Sequence, residues 1–242
     1  MDNNATTQPC PEVVEAIAAA LRDSWGNPSS LHHAGQAARV AIERARQQVA
    51  TLIGAKPFHL IFTGSGVESI DLAIRGTAQR SRPGTTPSPT VVTSSVEHPG
   101  VKSAIDSLAS RGEITPVSVP VDSTGVIQFD PLHAALAAPI RPAIVSIQWA
   151  NNETGVIQPV RRIGELCRAR KVTFHCDATQ WVGKEPVRDL ESWCDLLNFS
   201  PHKFHGPKGV SVLWVRPGVR VSPVIHGSQE RGARGGTENV PG

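Results

Sequence analysis

The chain has 242 residues, of which 39% are apolar and 19% charged, with a formal net charge of +3. That length suits one large domain, or one domain and part of another, and the apolar share excludes a disordered tail. No run approaches the ~18 apolar residues of a membrane span, no block of basic residues suggests a nucleic-acid or membrane partner, and the start MDNNATTQPCPEVV lacks the features of a secretory signal; a cytoplasmic location is expected.

Taken in chain order, helical and strand-like segments alternate. Pro11 marks the start of a helix, with Glu12 in its first turn. Over 36–53, Ala37, Ala41, Ala45, Val49 and Leu52 form one apolar face, and Gly54 stands where a C-terminal cap belongs. Strands are expected at 59–62, 90–94, 143–149, 172–176, 195–199 and 210–215, and further helices at 66–80, 100–111, 130–138 and 160–171. Residues 80–89, RSRPGTTPSP, read as a surface loop. Near-continuous apolar strands alternating with helices predict an α/β fold with a mostly parallel sheet covered by helices on both faces.

Ligands of such sheets bind at the carboxyl ends of the strands. Five polar clusters fall there: GSGVES (64–69), EHPG (97–100), NNETG (151–155), DATQ (177–180) and SPHKFHGPKG (200–209). Glycines between a strand and a helix can wrap an anion with backbone N–H groups, or simply make a tight turn. Asp177 is either a capping or ion-paired carboxylate or a partner for a protonated ring nitrogen. Lys203, in a His- and Gly-rich loop, is either a solvated charge or a desolvated nucleophilic amine; Lys208, between Pro207 and Gly209, competes with it but is expected to point outward. His98 is either a surface residue or satisfied hydrogen-bonder, or a ring that stacks on a flat cofactor and carries protons. The four cysteines, Cys10, Cys167, Cys176 and Cys194, form no CxxC pair, so buried reduced thiols and no metal site are expected.

The motifs DNNATT (2–7), GNPSSLH (26–32), FTGSGVES (62–69), VEHPGV (96–101), NNETGVIQP (151–159), HCDATQWVGK (175–184), FSPHKFHGPKG (199–209) and RGGTENVPG (234–242) occur in this order. Together they resemble the cysteine desulfurases of the NifS/IscS type, in class V of the aminotransferases, along the whole chain. The resemblance implies the large domain of a fold type I pyridoxal-phosphate (PLP) enzyme, with Lys203 as the Schiff-base lysine. It further implies that Asp177 bonds the pyridine nitrogen, His98 stacks on the ring, Gln180 bonds the phenolic oxygen and Asn152 lies beside cofactor and substrate. Ser200, His202 and the backbone of Gly66 and Val67 match phosphate-binding positions. Thr237 matches a threonine that reaches the partner subunit's phosphate, so a homodimer is implied. The implied reaction converts L-cysteine to L-alanine and leaves persulfide sulfur for iron–sulfur cluster assembly or thiolation, through a sulfur-acceptor or scaffold protein.

The same resemblance places the persulfide cysteine, the arginine for the substrate carboxylate and most of the small domain beyond Gly242. It therefore assigns 15–242 to an incomplete PLP-binding large domain and 1–14 to the absent small domain, and it implies an inactive fragment. Val67 stands where threonine is common, so one hydroxyl hydrogen bond to the phosphate is expected to be lost while the N–H still donates; Pro201 stands where glycine is usual and is expected to reshape the local phosphate contact. Selenocysteine lyases, kynureninases and class V aminotransferases share the core and are the alternative chemistry; a non-catalytic dimerisation module is the alternative without chemistry.

Overall fold

A computed structural model describes residues 2–81 and 88–242. Helices Pro11–Asp23 (α1) and His33–Leu52 (α2) lead into strand Leu60–Thr63 (β1) and helix Gly66–Ser81 (α3). Strand Thr90–Ser94 (β2), helix Pro99–Ser110 (α4), strand Thr115–Val119 (β3), helix Phe129–Leu136 (α5) and strand Ile144–Gln148 (β4) follow. Helix Val160–Ala169 (α6), strand Thr173–Asp177 (β5), the short helix Leu190–Trp193 (α7), strand Leu196–Phe199 (β6) and strand Ser211–Val215 (β7) complete the series. Residues 82–87 of the expected loop lie outside the described residues.

The strands form one sheet in the order β1-β7-β6-β5-β4-β2-β3. Only β7 is antiparallel to its neighbours, so the sheet is mostly parallel, and β1, β2, β4, β5 and β6 end on one rim. Successive side chains point to opposite faces of a strand. Thus Ile61, Val91, Ile144, Leu196 and Leu213 join the core under α3 and α4, while Leu60, Val92, Val145, Leu197 and Trp214 join the core under α5 and α6. Both faces are apolar because both are covered. Among the described residues no helix is long and apolar enough to cross a membrane.

Two expectations need correction. Helix α2 exists, and Gly54 follows it with φ +65°, as the cap requires. Its buried face, however, is Gly35, Ala38, Ile42, Arg46 and Ala50; Ala45 and Leu52 are exposed. The true stripe lies one residue from the expected one because it contains Arg46, whose charge is neutralised by a buried partner, Glu230. Strand β3 was not expected. It is an edge strand with mostly polar exposure and a proline, which erases the apolar signal.

Close approach fixes one helix contact. A Cβ on Gly164 of α6 would lie 2.0 Å from the Trp193 carbonyl oxygen. Backbone cannot yield as a side-chain tip can, so Gly164→Ala is expected to destabilise the fold by about 1–3 kcal/mol, read as a lowered denaturation midpoint at unchanged m-value.

Candidate active site

The five strand ends enclose a cleft of about 260 Å³. Its anion-facing side is the start of α3. Ser65 Oγ accepts the Glu68 N–H at 3.2 Å, and the Glu68 carboxylate accepts the Gly64 N–H at 2.8 Å, which pins the turn. The N–H groups of Gly66 and Val67, first in the helix, have no intrahelical partner and carry the positive end of the helix dipole. A Cβ on Gly66 would come within 2.7 Å of Ser200 Oγ and would push that hydroxyl from its place in the cradle. Ser200 and His202 complete it. Pro201 opens a 3-10 helix, Pro201–Lys203, where its missing N–H is an orphan in any case. The fold thus accommodates Pro201 without losing an intrahelical bond, while the N–H that another residue would offer toward the cleft is absent.

Asp177 lies at the opposite side, at the end of β5, and is buried. Its Oδ1 accepts from Asn198 Nδ2 at 3.0 Å and from the Thr179 N–H at 3.1 Å. His98 caps α4: its Nδ1 accepts the Gly100 N–H at 3.0 Å, which leaves Nε2 as the ring atom able to exchange a proton. Asn152, Gln180 and Lys203 also line the cleft. Stacking of Trp149 on Trp181, centroids 4.3 Å apart, ties the loop after β4 to the loop that carries Gln180.

The match to the family described as aminotransferase class-V spans residues 1–234. The chain belongs to the class-V aminotransferase family. It is 44% identical to a cysteine desulfurase of Cereibacter sphaeroides over 100% of this chain and 62% of that protein. A solved NifS-like protein superposes with a TM-score of 0.91 at 38% identity, covering 100% of this chain and 65% of the other. A second structure, SspA in complex with cysteine, gives a TM-score of 0.88 at 34% identity over 99% of this chain and 68% of that one. The chain thus spans about two thirds or less of the length of the first relatives it matches.

Class-V aminotransferases depend on PLP, and the residues here fit that group. The open cradle suits a phosphate, and a buried carboxylate suits a ring nitrogen. The Lys203 amine is held below the usual lysine range, first by burial and then by Lys184, with Asp177 and Asp2 opposing. The cationic neighbour is thus Lys184, not the adjacent histidines that the loop composition suggested. His202 is itself lowered, by burial and by Lys203 and Lys208. Lys208 is exposed and off the cleft, as expected.

All the expected site residues except Thr237 line this cleft. Thr237 lines a different cavity, beside Arg234 and Val210. Cys167, Cys176 and Cys194 are buried as free thiols and Cys10 is half-buried; none lines the cleft. Burial pushes the Cys167 thiol up to about 12 and raises Cys176 and Cys194 as well, so these three are poor nucleophiles.

Sequence reasoning missed Asn4. Its carbonyl oxygen accepts from Lys203 Nζ at 2.7 Å and from Gln180 Nε2 at 2.9 Å, and its Nδ2 donates to the Asn152 carbonyl at 3.0 Å. Thr7 N–H donates to the His202 carbonyl at 2.8 Å. The N-terminal segment thus lies along the lysine loop. The one signal for this was the DNNATT cluster itself. Glu97 was also missed, although it adjoins His98: it is buried, and its Oε2 accepts the Gln148 N–H at 2.8 Å.

Proposed function

We propose that these residues are the cofactor-binding part of a PLP-dependent cysteine desulfurase, which releases L-alanine from L-cysteine and passes on the sulfur. The observation that carries the reading is the convergence of three different chemistries in one cleft: an anion cradle, a buried carboxylate and a lysine of lowered pKa. The cysteine in the complex with SspA, and the cysteine desulfurase relative at 44% identity, support the substrate.

Gly66 and Val67 N–H, Ser200 and His202 would hold the phosphate, Asp177 the ring nitrogen, Gln180 the phenolic oxygen and His98 the ring face. Lys203 would anchor the group covalently. When bound, PLP supplies an electron-accepting ring for bond breaking at the substrate's carbons. The residues of the chain do the rest. A lowered pKa leaves Lys203 more of its neutral, proton-accepting form near neutral pH. The fixed Nδ1 of His98 directs proton exchange to Nε2. Asn152 sits where it can orient a substrate. The cysteine that takes the sulfur is expected outside these residues, since none of the four here lines the cleft. The chain is accordingly expected to hold PLP without turning over cysteine. In a homodimer, Thr237, which is off its own cleft, would serve the partner's phosphate.

Reconstitution with PLP, borohydride reduction and peptide mapping test the reading. A pyridoxyl adduct is expected on Lys203, and Lys203→Ala should remove essentially all of it while cooperative unfolding is retained. No adduct on folded protein would leave the dimerisation module as the better description.

A further inference from the structure

Behind the cleft, four polar side chains run through the middle of the sheet. Ser146 and Asn198 are fully buried, as is His175, and Asp177 nearly so. Ser146 Oγ lies 2.8 Å from His175 Nδ1, His175 Nε2 lies 2.8 Å from Asn198 Oδ1, and Asn198 Nδ2 donates to Asp177 Oδ1 at 3.0 Å. The chain crosses β4, β5 and β6, and only Asp177 lines the cleft. Such a polar line in an otherwise apolar core is costly unless every member is satisfied.

The chemistry fixes each proton. A turned Asn198 amide would set its oxygen against a carboxylate oxygen 3.0 Å away, so its NH2 must face Asp177; the same NH2 also reaches Thr179 Oγ1 at 3.2 Å. The amide oxygen then faces His175, so Nε2 must carry the hydrogen. Nδ1 is left bare and accepts the Ser146 hydroxyl. Burial lowers the His175 pKa, in keeping with a neutral ring.

We infer that Ser146, His175 and Asn198 form a buried relay of positioning residues, in which a neutral, Nε2-protonated imidazole sets the Asn198 amide and the amide sets Asp177 toward the cofactor. The inference rests on the proposed role of Asp177 as the partner of the ring nitrogen. None of the three touches the cofactor site. They act through Asp177 alone.

Histidine labelled with nitrogen-15 in the cofactor-free chain gives the first readout. Long-range proton–nitrogen spectra at neutral pH should show His175 protonated on Nε2 and bare on Nδ1. A proton on Nδ1, or on both nitrogens, overturns the relay. The second readout is the PLP dissociation constant of Ser146→Ala and Asn198→Asp. Loss of the Ser146 hydroxyl leaves Nδ1 without its donor and frees the ring to shift against Asn198, and should weaken PLP about tenfold. Asn198→Asp keeps an acceptor for His175 but faces Asp177 with a second acceptor, and should weaken PLP at least as much. Unchanged affinity in a folded Ser146→Ala overturns the inference, even if Asn198→Asp fails to fold. Should the unaltered chain bind no PLP, the proposed function falls, while the His175 tautomer still decides whether the relay exists.

Discussion

Glu230→Ala is expected to lower the unfolding free energy by about 3–5 kcal/mol, the range for removing one partner of a buried ion pair. The side chains of Arg46 and Glu230 are 4% and 2% exposed. Their contact is bidentate, at 2.8 and 2.9 Å. Glu230 Oε2 also accepts the Phe62 N–H at 3.1 Å, Arg46 donates to the Leu60 carbonyl at 3.0 Å, and the guanidinium lies 4.6 Å from the Phe62 ring centre. The pair therefore joins α2, the edge strand β1 and the segment near residue 230. Removing the carboxylate leaves the buried guanidinium with the 3.4 Å ion pair to the exposed Glu43, beside Arg231, whose own pKa is lowered by burial and by Arg46. The double variant Arg46→Met with Glu230→Leu should recover much of the loss, because the charge then left unpaired, Glu43, is exposed to water. Chemical denaturation of the three proteins checks this: a single-variant loss under about 1 kcal/mol, the range of exposed pairs, would mean that water reaches the pair.

This ion pair also explains where the sequence was hard to read. The helix at 36–53 is plain from its spacing, but apolar counting avoids a stripe through Arg46, and the partner that makes it acceptable lies 184 residues away. Strand β3 was lost for a related reason: an edge strand needs no continuous apolar run, and Pro116 is tolerated there. The cleft, by contrast, was legible. Its walls are short local clusters at strand ends, and a mostly parallel sheet gathers strand ends on one rim. Residues whose meaning depends on distant partners were missed. Asn4 acquires its place through Lys203, 199 positions on, and through Gln180 and Asn152, and Asn198 through His175 and Asp177 on the neighbouring strand.

Glu97→Gln is expected to open a stability gap that grows with pH. Burial, with Asp177 adding repulsion and the hydrogen bonds of Ser94 and Gln148 opposing, raises the Glu97 carboxyl from 4.5 to about 8. The folded chain thus keeps a proton that the unfolded chain gives up above its ordinary value. Between those two values the native state binds more protons, so stability must fall as pH rises and level off above about pH 8. Each pH unit crossed in that window costs about 1.4 kcal/mol, so the whole loss is on the order of 5 kcal/mol. A glutamine copies the protonated carboxyl: its oxygen can accept the Gln148 N–H and its NH2 can reach Ser94 Oγ. Wild type and variant should therefore unfold at nearly equal denaturant near about pH 5, with the variant the more stable by a few kcal/mol near about pH 8.5. A constant gap would mean that Glu97 is ionised in the fold. Glu97 also borders the cleft, because it ties the end of β2 to the end of β4 and adjoins His98, the cap of α4.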